Sequence, residues 1–203
     1  TSWPCLCWAL CWLYNPTESN DLLDVMVDVI DAKGLSIHHS QHSISPWKDA
    51  RELTNFTVNT PELWSPSSPH LYQCSIKVSG RGGEYVAKET FGIRHTEFVQ
   101  HGPFKLNGER LLLHGTHRHE DHAGYAAAMP DGLIDQEMKL MKEMGVNFIR
   151  LAHYQQSRRV LANCDRLGIL VWEEVPWCRG GVGNDFFKDM TRDKLRAMIA
   201  QHY

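Results

Sequence analysis

The sequence predicts a chain of two parts, an antiparallel β-sandwich followed by a region of alternating strands and helices. Residues 22–99 contain short strands, proline-rich turns and no helical periodicity, which is typical of a sandwich. After Gly102, continuous apolar strands alternate with amphipathic helices, and this pattern indicates a parallel sheet with right-handed crossovers. The 203 residues, 42% of them hydrophobic, provide enough apolar material for a sizeable core.

Apolar residues that alternate with polar ones mark the strands of the first part. Val25, Val27 and Val29 occupy every second position of "DVMVDVID", the pattern of a half-buried strand. "LYQCSIKVSG" and "EYVAKETFGI" flank the glycine-rich "GRGG", which predicts a hairpin. The proline-rich segment ahead of this hairpin is expected to be a surface connection that Trp64 fixes in place.

The second part opens with an Asn-Gly turn and a strand. "FKLNGERLLLHGTH" contains this turn between two apolar runs, and the strand is expected from Arg110 to His114 or slightly beyond. "DGLIDQEMKLMKEMG" then predicts a helix capped by Asp131 and ended by Gly145. Its apolar stripe is expected to comprise Ile134, Met138 and Met141, widened by Leu133, Leu140 and Met144.

Two further strand–helix units follow. "VNFIRLAHY" is predicted to be a buried strand, and "SRRVLANCDRLG" a helix capped by Ser157 and ended by Gly168. "ILVWEEV" is the next strand, and a third helix is expected to begin at "TRDKLRAMIAQHY". Three such units are too few to close an eight-stranded barrel, which takes about 250 residues. The rival doubly wound sheet would be expected to show a glycine-rich nucleotide loop after a strand, and neither "GRGG" nor "CRGGVG" fits one.

Residues 1–19 receive no assignment. The apolar stretch "TSWPCLCWALCWLY" is 14 residues long, whereas a membrane-spanning helix needs about 20, so no membrane association is expected. An edge strand, the remnant of a signal peptide and a misread chain start all stay open. The six cysteines lack the paired spacing of a zinc ribbon and are expected to be free thiols. With a net charge of −3 and no basic stripe, a nucleic-acid partner has no electrostatic support.

Polar side chains follow all three strands of the second part. Because functional residues of α/β barrels cluster at the carboxyl ends of strands, these side chains are expected to surround one site. Their mixture of imidazoles, a guanidinium, carboxylates and an indole suits a polyhydroxylated ligand. The first strand leads into "HGTHRHED", the second ends at Arg150, His153 and Tyr154, and the third ends at Glu173, Glu174 and Trp177.

Several separated motifs resemble glycoside hydrolase family 2, which includes β-galactosidases, β-glucuronidases and β-mannosidases. They are "FGIR", "FKLNGERLLLHGTHRHED", "MKEMGVNFIRLAHY" and "CDRLGILVWEEVP", joined by "LWSPSSPHLY" upstream. The resemblance implies an immunoglobulin-like β-sandwich over residues 20–99, followed over 100–203 by the first three βα units of a (β/α)8 TIM barrel. It also implies a retaining, exo-acting β-glycosidase of β-galactosidase type that acts on a β-linked glycoside. We expect no cofactor and no metal, and a homo-oligomer of the full-length enzyme stays open.

The resemblance also assigns substrate-binding residues one by one. His119 matches the histidine of the family's "HE" element and contacts the sugar, and Asp121 matches an aspartate that binds sugar hydroxyls in glucuronidase-like members. Arg150 and His153 match the "N-x-x-R-x-x-H-Y" element, in which the arginine orients a catalytic carboxylate and the histidine contacts substrate.

Two more residues complete this predicted set. Glu174 matches the acidic position that ends the third strand, and Trp177 is expected to be a platform for the sugar ring. The chain departs from the family at Gln155, where most members have proline, so the shape of that loop is open.

The resemblance places neither catalytic glutamate within these residues. It implies that both lie beyond Tyr203, the first in an Asn-Glu pair that ends the fourth strand and the second near the seventh strand. The adjacent Glu173 and Glu174 on a strand should point to opposite faces, so they cannot form a facing pair. The chain is therefore expected to be a truncated piece that hydrolyses nothing by itself. A periplasmic or extracellular location is compatible with the sequence, and so is a cytoplasmic one.

Two alternatives accompany this prediction. The chain could belong to a carbohydrate-binding or catalytically inactive relative. The cluster "HRHEDH", residues 117–122, also matches the H-x-H-x-D-H spacing of a zinc hydrolase. A zinc hydrolase of that class should carry a further histidine some 50 residues on, usually beside glycine. Here the next histidine, His153, lies in a strand-end motif instead, so the sequence supports a zinc site far less than a glycosidase.

Overall fold

A computed structural model describes residues 5–12, 20–46, 50–177, 179–181 and 183–202. The chain divides into two compact units. Unit 1 comprises Thr1–Glu97 with Leu106–Gly108, and unit 2 comprises Phe98–Lys105 with Glu109–Tyr203. Within the part of the chain that is described, no helix is long and apolar enough to cross a membrane.

Unit 1 is built from antiparallel strands. One sheet has four strands in the order β3-β2-β5-β6, and a second sheet pairs β1 with β4. The strand bounds are β1 Cys5–Trp12, β2 Leu23–Ile30, β3 Ser36–Ile44, β4 Ala50–Val58, β5 Tyr72–Gly80 and β6 Gly83–Phe91.

The central strand β2 supplies the core of unit 1 as the alternation predicts. Val25, Val27 and Val29 are each 0% exposed, and Leu53 of β4 packs in one apolar cluster with the first two of them. The predicted hairpin is confirmed, since β5 and β6 pair from Tyr72 and Phe91 to Gly80 and Gly83. An immunoglobulin-like arrangement of these strands stays a prediction.

Trp64 is buried, as expected from its place in the proline-rich connection. Its backbone N–H donates to the Ile93 carbonyl at 2.8 Å, and the Arg94 guanidinium lies 5.3 Å from the centre of its ring. Gly92 lies against this ring so closely that a β-carbon there would approach it to 2.9 Å. The connection is therefore fixed by the indole.

Residues 5–12 of the unassigned N-terminal stretch form a strand. β1 pairs antiparallel with β4, from Cys5 opposite Val58 to Trp12 opposite Ala50. Of the three alternatives for this stretch, the structure has the edge strand, while residues 1–4 and 13–19 lie outside the described residues.

The first strand of the α/β region lies further along the chain than predicted. Three short strands, β7 Thr96–Phe98, β8 Phe104–Leu106 and β9 Glu109–Arg110, form their own sheet around the confirmed turn at Asn107 and Gly108, both with positive φ. The strand expected at residues 110–114 is wrong: β10 runs Gly115–Arg118.

The Asn147 side chain explains why the apolar run before β10 is not a strand. Its amide oxygen accepts from the His114 N–H at 2.7 Å, and its amide nitrogen donates to the Leu112 carbonyl at 2.9 Å. The backbone groups that a neighbouring strand would use are thus bonded to a side chain.

Unit 2 continues with parallel strands that alternate with helices. β10, β11 and β12 form a parallel sheet in sequence order, which confirms the β-α-β-α-β-α prediction. The remaining bounds are α1 Asp131–Glu143, β11 Phe148–Leu151, α2 Arg158–Leu167, β12 Leu170–Glu173 and α3 Asp185–His202.

Helix α1 differs from its prediction in two details. Its N-cap is Pro130 rather than Asp131, which is the first helical residue and places its charge in the first turn. Leu140 and Met144 are exposed rather than part of the apolar stripe. The buried residues Ile134 and Met138 are four positions apart and share one face, whereas Leu140 lies about 200° around the helix from Met138.

The ends of the other two helices differ in how well the sequence predicts them. The Ser157 hydroxyl accepts from the Arg159 N–H at 3.1 Å and Gly168 is left-handed, so both predicted ends of α2 are confirmed. Helix α3 starts six residues before the predicted Thr191. Its start is marked by Asn184, whose amide oxygen accepts from the Phe187 N–H at 3.1 Å, and its only buried residue among those described is Met198, so it has little apolar periodicity.

The core of unit 2 lies between one face of the parallel sheet and helices α1 and α2. Ile149 and Leu151 of β11 pack there, both fully buried, with Met138 of α1 and with Val160 and Cys164 of α2. We call this the helix face of the sheet, and the opposite one the open face.

Candidate functional site

The parallel register places one residue from each strand side by side on the open face. His117, Arg150 and Trp172 are aligned across β10, β11 and β12. Side chains alternate along a strand, so these three point away from Ile149 and Leu151. His117 and Trp172 are exposed and Arg150 is half-buried.

Arg150 forms a two-pronged ion pair with Glu174, directly after β12. Its Nε donates to Oε1 at 2.6 Å and its Nη2 donates to Oε2 at 3.0 Å. Such bidentate pairs fix both side chains in orientation as well as in position. The predicted residues Arg150 and Glu174 are therefore brought together.

His153 completes this network. Its Nδ1 lies 2.9 Å from Arg150 Nη2 and 3.1 Å from Glu174 Oε2. Because a guanidinium can only donate, Nδ1 accepts from Arg150 when it carries no hydrogen and donates to Glu174 when it does. One imidazole nitrogen can thus serve either partner without moving.

The charge of Glu174 follows from these contacts. The hydrogen bond from Arg150 holds the pKa of the Glu174 carboxyl below its ordinary value, the bond from His153 adds to this, and partial burial works in the opposite direction. Glu174 is therefore an anion at neutral pH. It can accept hydrogen bonds there, but it cannot be a proton donor.

Glu173 is directed to the opposite face. Its Oε2 lies 2.6 Å from His202 Nδ1 of α3, and its Oε1 is buried without a hydrogen-bond partner in the described part of the chain. The expectation that these adjacent glutamates cannot face each other is confirmed.

His119 lies beside the Arg150 network. Its ring centre is 5.5 Å from that of His153, 6.2 Å from that of Tyr154 and 6.1 Å from that of His117. The loop after β10 and the loop after β11 thus present their imidazoles together, as the sequence predicts for residues at neighbouring strand ends.

The residues that alternate with these histidines point to the helix face. Arg118 is 4% exposed, and its Nε and Nη2 donate to Glu137 Oε2 of α1 at 3.2 and 3.1 Å. Its Nη1 donates to Gln156 Oε1 at 2.6 Å, while Gln156 Nε2 donates back to the Arg118 carbonyl at 2.7 Å. Glu120 accepts from the Ser157 N–H with both oxygens, at 3.0 and 2.9 Å.

Two predicted residues are not tied to this network. Asp121 is exposed, and within the ranges that the structure describes no hydrogen bond or ion pair holds its carboxylate. Trp177 is 51% exposed, and its indole N–H donates to the Gly181 carbonyl at 2.7 Å, within its own loop. The roles of both residues in sugar binding stay predictions.

Sequence reasoning did not include His117 and Trp172 among the site residues. Trp172 belongs to a strand, whereas the prediction considered the residues that follow strands. His117 lay within "HGTHRHED", after the strand predicted at residues 110–114, but it was not expected to contact the sugar. Every second residue of a strand points to the same face, and aligned residues of neighbouring parallel strands share that face. Knowing which residues of β10 and β12 are aligned with Arg150 would therefore have identified His117 and Trp172.

The six residues of "HRHEDH" do not converge on one point. His117 and His119 are on the open face, Glu120 is bound to Ser157, and His122 Nδ1 lies 2.9 Å from the Ala123 carbonyl. Over the described residues, no group of three His, Cys, Asp or Glu side chains could hold a metal ion.

Comparison with protein families gives two matches along the chain. The profile described as "Glycosyl hydrolases family 2" matches residues 13–94, and the profile described as "Glycosyl hydrolases family 2, TIM barrel domain" matches residues 98–195. The two matches follow each other without overlap and together take in both units.

Similar proteins carry two enzyme names. A "Putative beta-glucuronidase" of Formosa agariphila is 40% identical over 186 residues, which are 91% of this chain and 22% of that protein. A "Beta-galactosidase" of Thermoanaerobacter pseudethanolicus is 36% identical over 145 residues, 70% of this chain and 19% of that protein. The chain therefore spans only about a fifth of the length of these relatives.

Solved structures of two beta-glucuronidases are also similar to this chain. The crystal structure of Parabacteroides merdae beta-glucuronidase superposes with a TM-score of 0.92 at 46% identity, covering 98% of this chain and 26% of that one. The structure of Bacteroides uniformis beta-glucuronidase 3 gives a TM-score of 0.80, also at 46% identity, over 88% of this chain and 22% of that one.

Proposed function

Because the chain belongs to glycosyl hydrolase family 2, we propose that its open face forms part of the subsite for the terminal sugar of a β-glycoside. The protein that contains it would be an exo-acting β-glycosidase. The observation that supports this most strongly is the network of Arg150, Glu174 and His153, with His119 beside it, at the carboxyl ends of neighbouring parallel strands.

The chemistry of this face suits a sugar. The ionised Glu174 can accept hydrogen bonds from hydroxyl groups, and the imidazoles of His119 and His153 can donate or accept them. Trp172, 56% exposed on the same face, offers an apolar surface of the kind that packs against a sugar ring. Both kinds of contact are needed to bind a polyhydroxylated ring in one orientation.

Glycoside hydrolysis needs two carboxylates that flank the scissile bond. Glu174 is held by Arg150, and Glu173 lies on the helix face with His202, so neither is assigned as the acid/base or the nucleophile. We propose a retaining double displacement in which both glutamates come from outside these 203 residues, and a chain that alone does not turn over substrate.

For the substrate we propose a β-glucuronide first and a β-galactoside second. The relative at 40% identity and the solved structures at 46% are named as glucuronidases, which favours the first. The relative at 36% identity is named as a galactosidase, the type that the sequence alone suggested. We also propose that unit 1 is an immunoglobulin-like sandwich and that unit 2 supplies three βα units of the barrel.

The test is a panel of 4-nitrophenyl β-D-glycosides with the full-length protein and with the 203-residue chain. We expect the full-length protein to release nitrophenol fastest from the glucuronide and the chain to release none. Fastest release from the galactoside would favour the second candidate. No turnover of any member would contradict a glycosidase, and tight sugar binding without turnover would indicate a binding protein.

A further inference from the structure

We propose that Arg118 and Glu120 are positioning residues that fix the direction of His119 on the open face. Their side chains make no hydrogen bond or ion pair with Arg150, His153 or Glu174 among the described contacts, so we assign their effect on the site to the direction of His119. The effect on turnover rests on the proposed function, whereas the effect on the loop does not.

Arg118 is the first fixed point. It is the last residue of β10 and the only charged residue among the described ones that is fully buried, with Glu137 of α1 neutralising it. Gln156 binds it at both ends, accepting from the guanidinium and donating to the backbone carbonyl. Since a buried guanidinium that lost these partners would be costly, the strand end cannot rotate without breaking them.

Glu120 is the second fixed point. Its carboxylate accepts from the backbone N–H of Ser157, the N-cap of α2, and its own N–H donates to the Tyr154 hydroxyl at 3.1 Å. A negative charge at this end of α2 is favoured by the helix dipole. Glu120 is thus bonded through both side chain and backbone to the segment that follows β11.

His119 lies between these two points. Because the side chains on either side of it, Arg118 at the end of β10 and Glu120 after it, are held toward the helices, His119 is directed toward the open face. The ring contact with His153, at 5.5 Å between centres, is the result. The glutamate of the "HED" sequence therefore serves the histidine before it rather than a ligand.

The first readout is amide hydrogen exchange of the full-length protein, followed by mass spectrometry of peptides that cover residues 117–124. Glu120→Ala removes the acceptor of Ser157, and Glu120→Gln keeps one oxygen in its place. We expect faster exchange of this segment in Glu120→Ala and near wild-type exchange in Glu120→Gln.

Asp135→Asn is the matched control. Asp135 of α1 also binds α2, accepting from Arg159 Nε at 2.7 Å and from Asn163 at 2.8 Å, but it makes no direct contact with residues 117–124 among the described ones. This variant should alter exchange in α1 and α2 and leave residues 117–124 unchanged.

The second readout is kcat/KM on the aryl glycoside that the wild type cleaves fastest. A displaced contact residue can reduce turnover by about a hundredfold, so we expect a loss of roughly ten- to hundredfold in Glu120→Ala, recovery in Glu120→Gln and no change in Asp135→Asn.

Unchanged exchange of residues 117–124 in Glu120→Ala would overturn the proposal. So would a loosened segment with unchanged kcat/KM, because His119 would then not depend on this tether. If the wild type cleaves no glycoside, the proposed function fails, and the exchange result alone decides the role of Glu120.

Discussion

The two faces of the β10-β11-β12 sheet use the same residue types for different purposes. On the helix face, Arg118 is buried with Glu137, and Glu173 is bound to His202. On the open face, the ion pair of Arg150 and Glu174 retains access to solvent, with side chains 39% and 22% exposed. The chain separates these uses by strand alternation alone, since Glu173 and Glu174 are neighbours.

This difference separates the residues that we expect to support the fold of unit 2 from those that we propose to bind substrate. The helix face also carries the fully buried Ile149 and Leu151, so its ionic groups are surrounded by apolar packing. The open face has polar groups in partial contact with water, where they remain available to a ligand. Substitutions on the helix face should therefore lower stability more than activity, and substitutions on the open face should lower activity more than stability.

The largest expected effect on stability is the loss of the buried guanidinium. Arg118→Met leaves the Glu137 carboxylate and the Gln156 amide without their partner and should lower the free energy of unfolding by about 4–5 kcal/mol. Arg150→Met removes a half-exposed pair and should cost about 1 kcal/mol or less. Urea titration followed by circular dichroism measures both, and equal losses would erase the distinction between the faces.

A smaller loss is expected from the apolar core. Leu151→Ala creates a cavity beneath α1 and α2 and should lower the free energy of unfolding by about 2–4 kcal/mol. Leu140→Ala, on the exposed side of α1, is its control and should change it by about 0.5 kcal/mol or less. A comparable cost at residue 140 would mean that another surface covers it.

The cap of α2 should contribute about 1 kcal/mol. Ser157→Ala removes the hydroxyl that accepts from the Arg159 N–H, and Ser157→Thr retains one. The melting temperature should fall in the first variant and stay close to wild type in the second. An equal fall in the melting temperature of both variants would show that the packing of Ser157, rather than its hydrogen bond, stabilises the helix.

The smallest effect is a pH dependence that comes from the open face. The pKa of Glu174 is lower in the folded protein than its ordinary value of 4.5, so its contribution to stability is present above that value and is lost as the pH falls through the folded pKa. Glu174→Gln should therefore show a smaller drop in unfolding free energy than the wild type on acidification below about pH 4.5. Parallel curves for the two proteins would show that the ion pair adds nothing.

Periodicity predicted most of the fold because the relevant residues lie close in sequence. The alternating valines of β2, the Ser157 cap and Gly168 were all found from local patterns. The start of β10 was missed because Asn147, distant in sequence, binds the backbone of Leu112 and His114, and no local pattern encodes that contact.

The candidate site was likewise predicted only in part. Arg150, His153 and Glu174 come together because parallel strands end at one edge. The positions of His117 and Trp172 on the open face were not predicted because they depend on the register between strands. The burial of Arg118 and Gln156 was not predicted because it depends on the packing of helices.

The neighbouring glutamates offer the most direct test of the central claim, that the open face binds substrate and the helix face supports the fold. We would measure kcat/KM and the melting temperature of Glu174→Gln and Glu173→Gln in the full-length protein, on the aryl glycoside that the wild type cleaves fastest. Glu174→Gln should lose about a hundredfold in kcat/KM with little change in melting temperature. Glu173→Gln should stay within about threefold in kcat/KM and melt earlier. Equal losses of activity in the two variants, or the reverse order, would contradict the assignment.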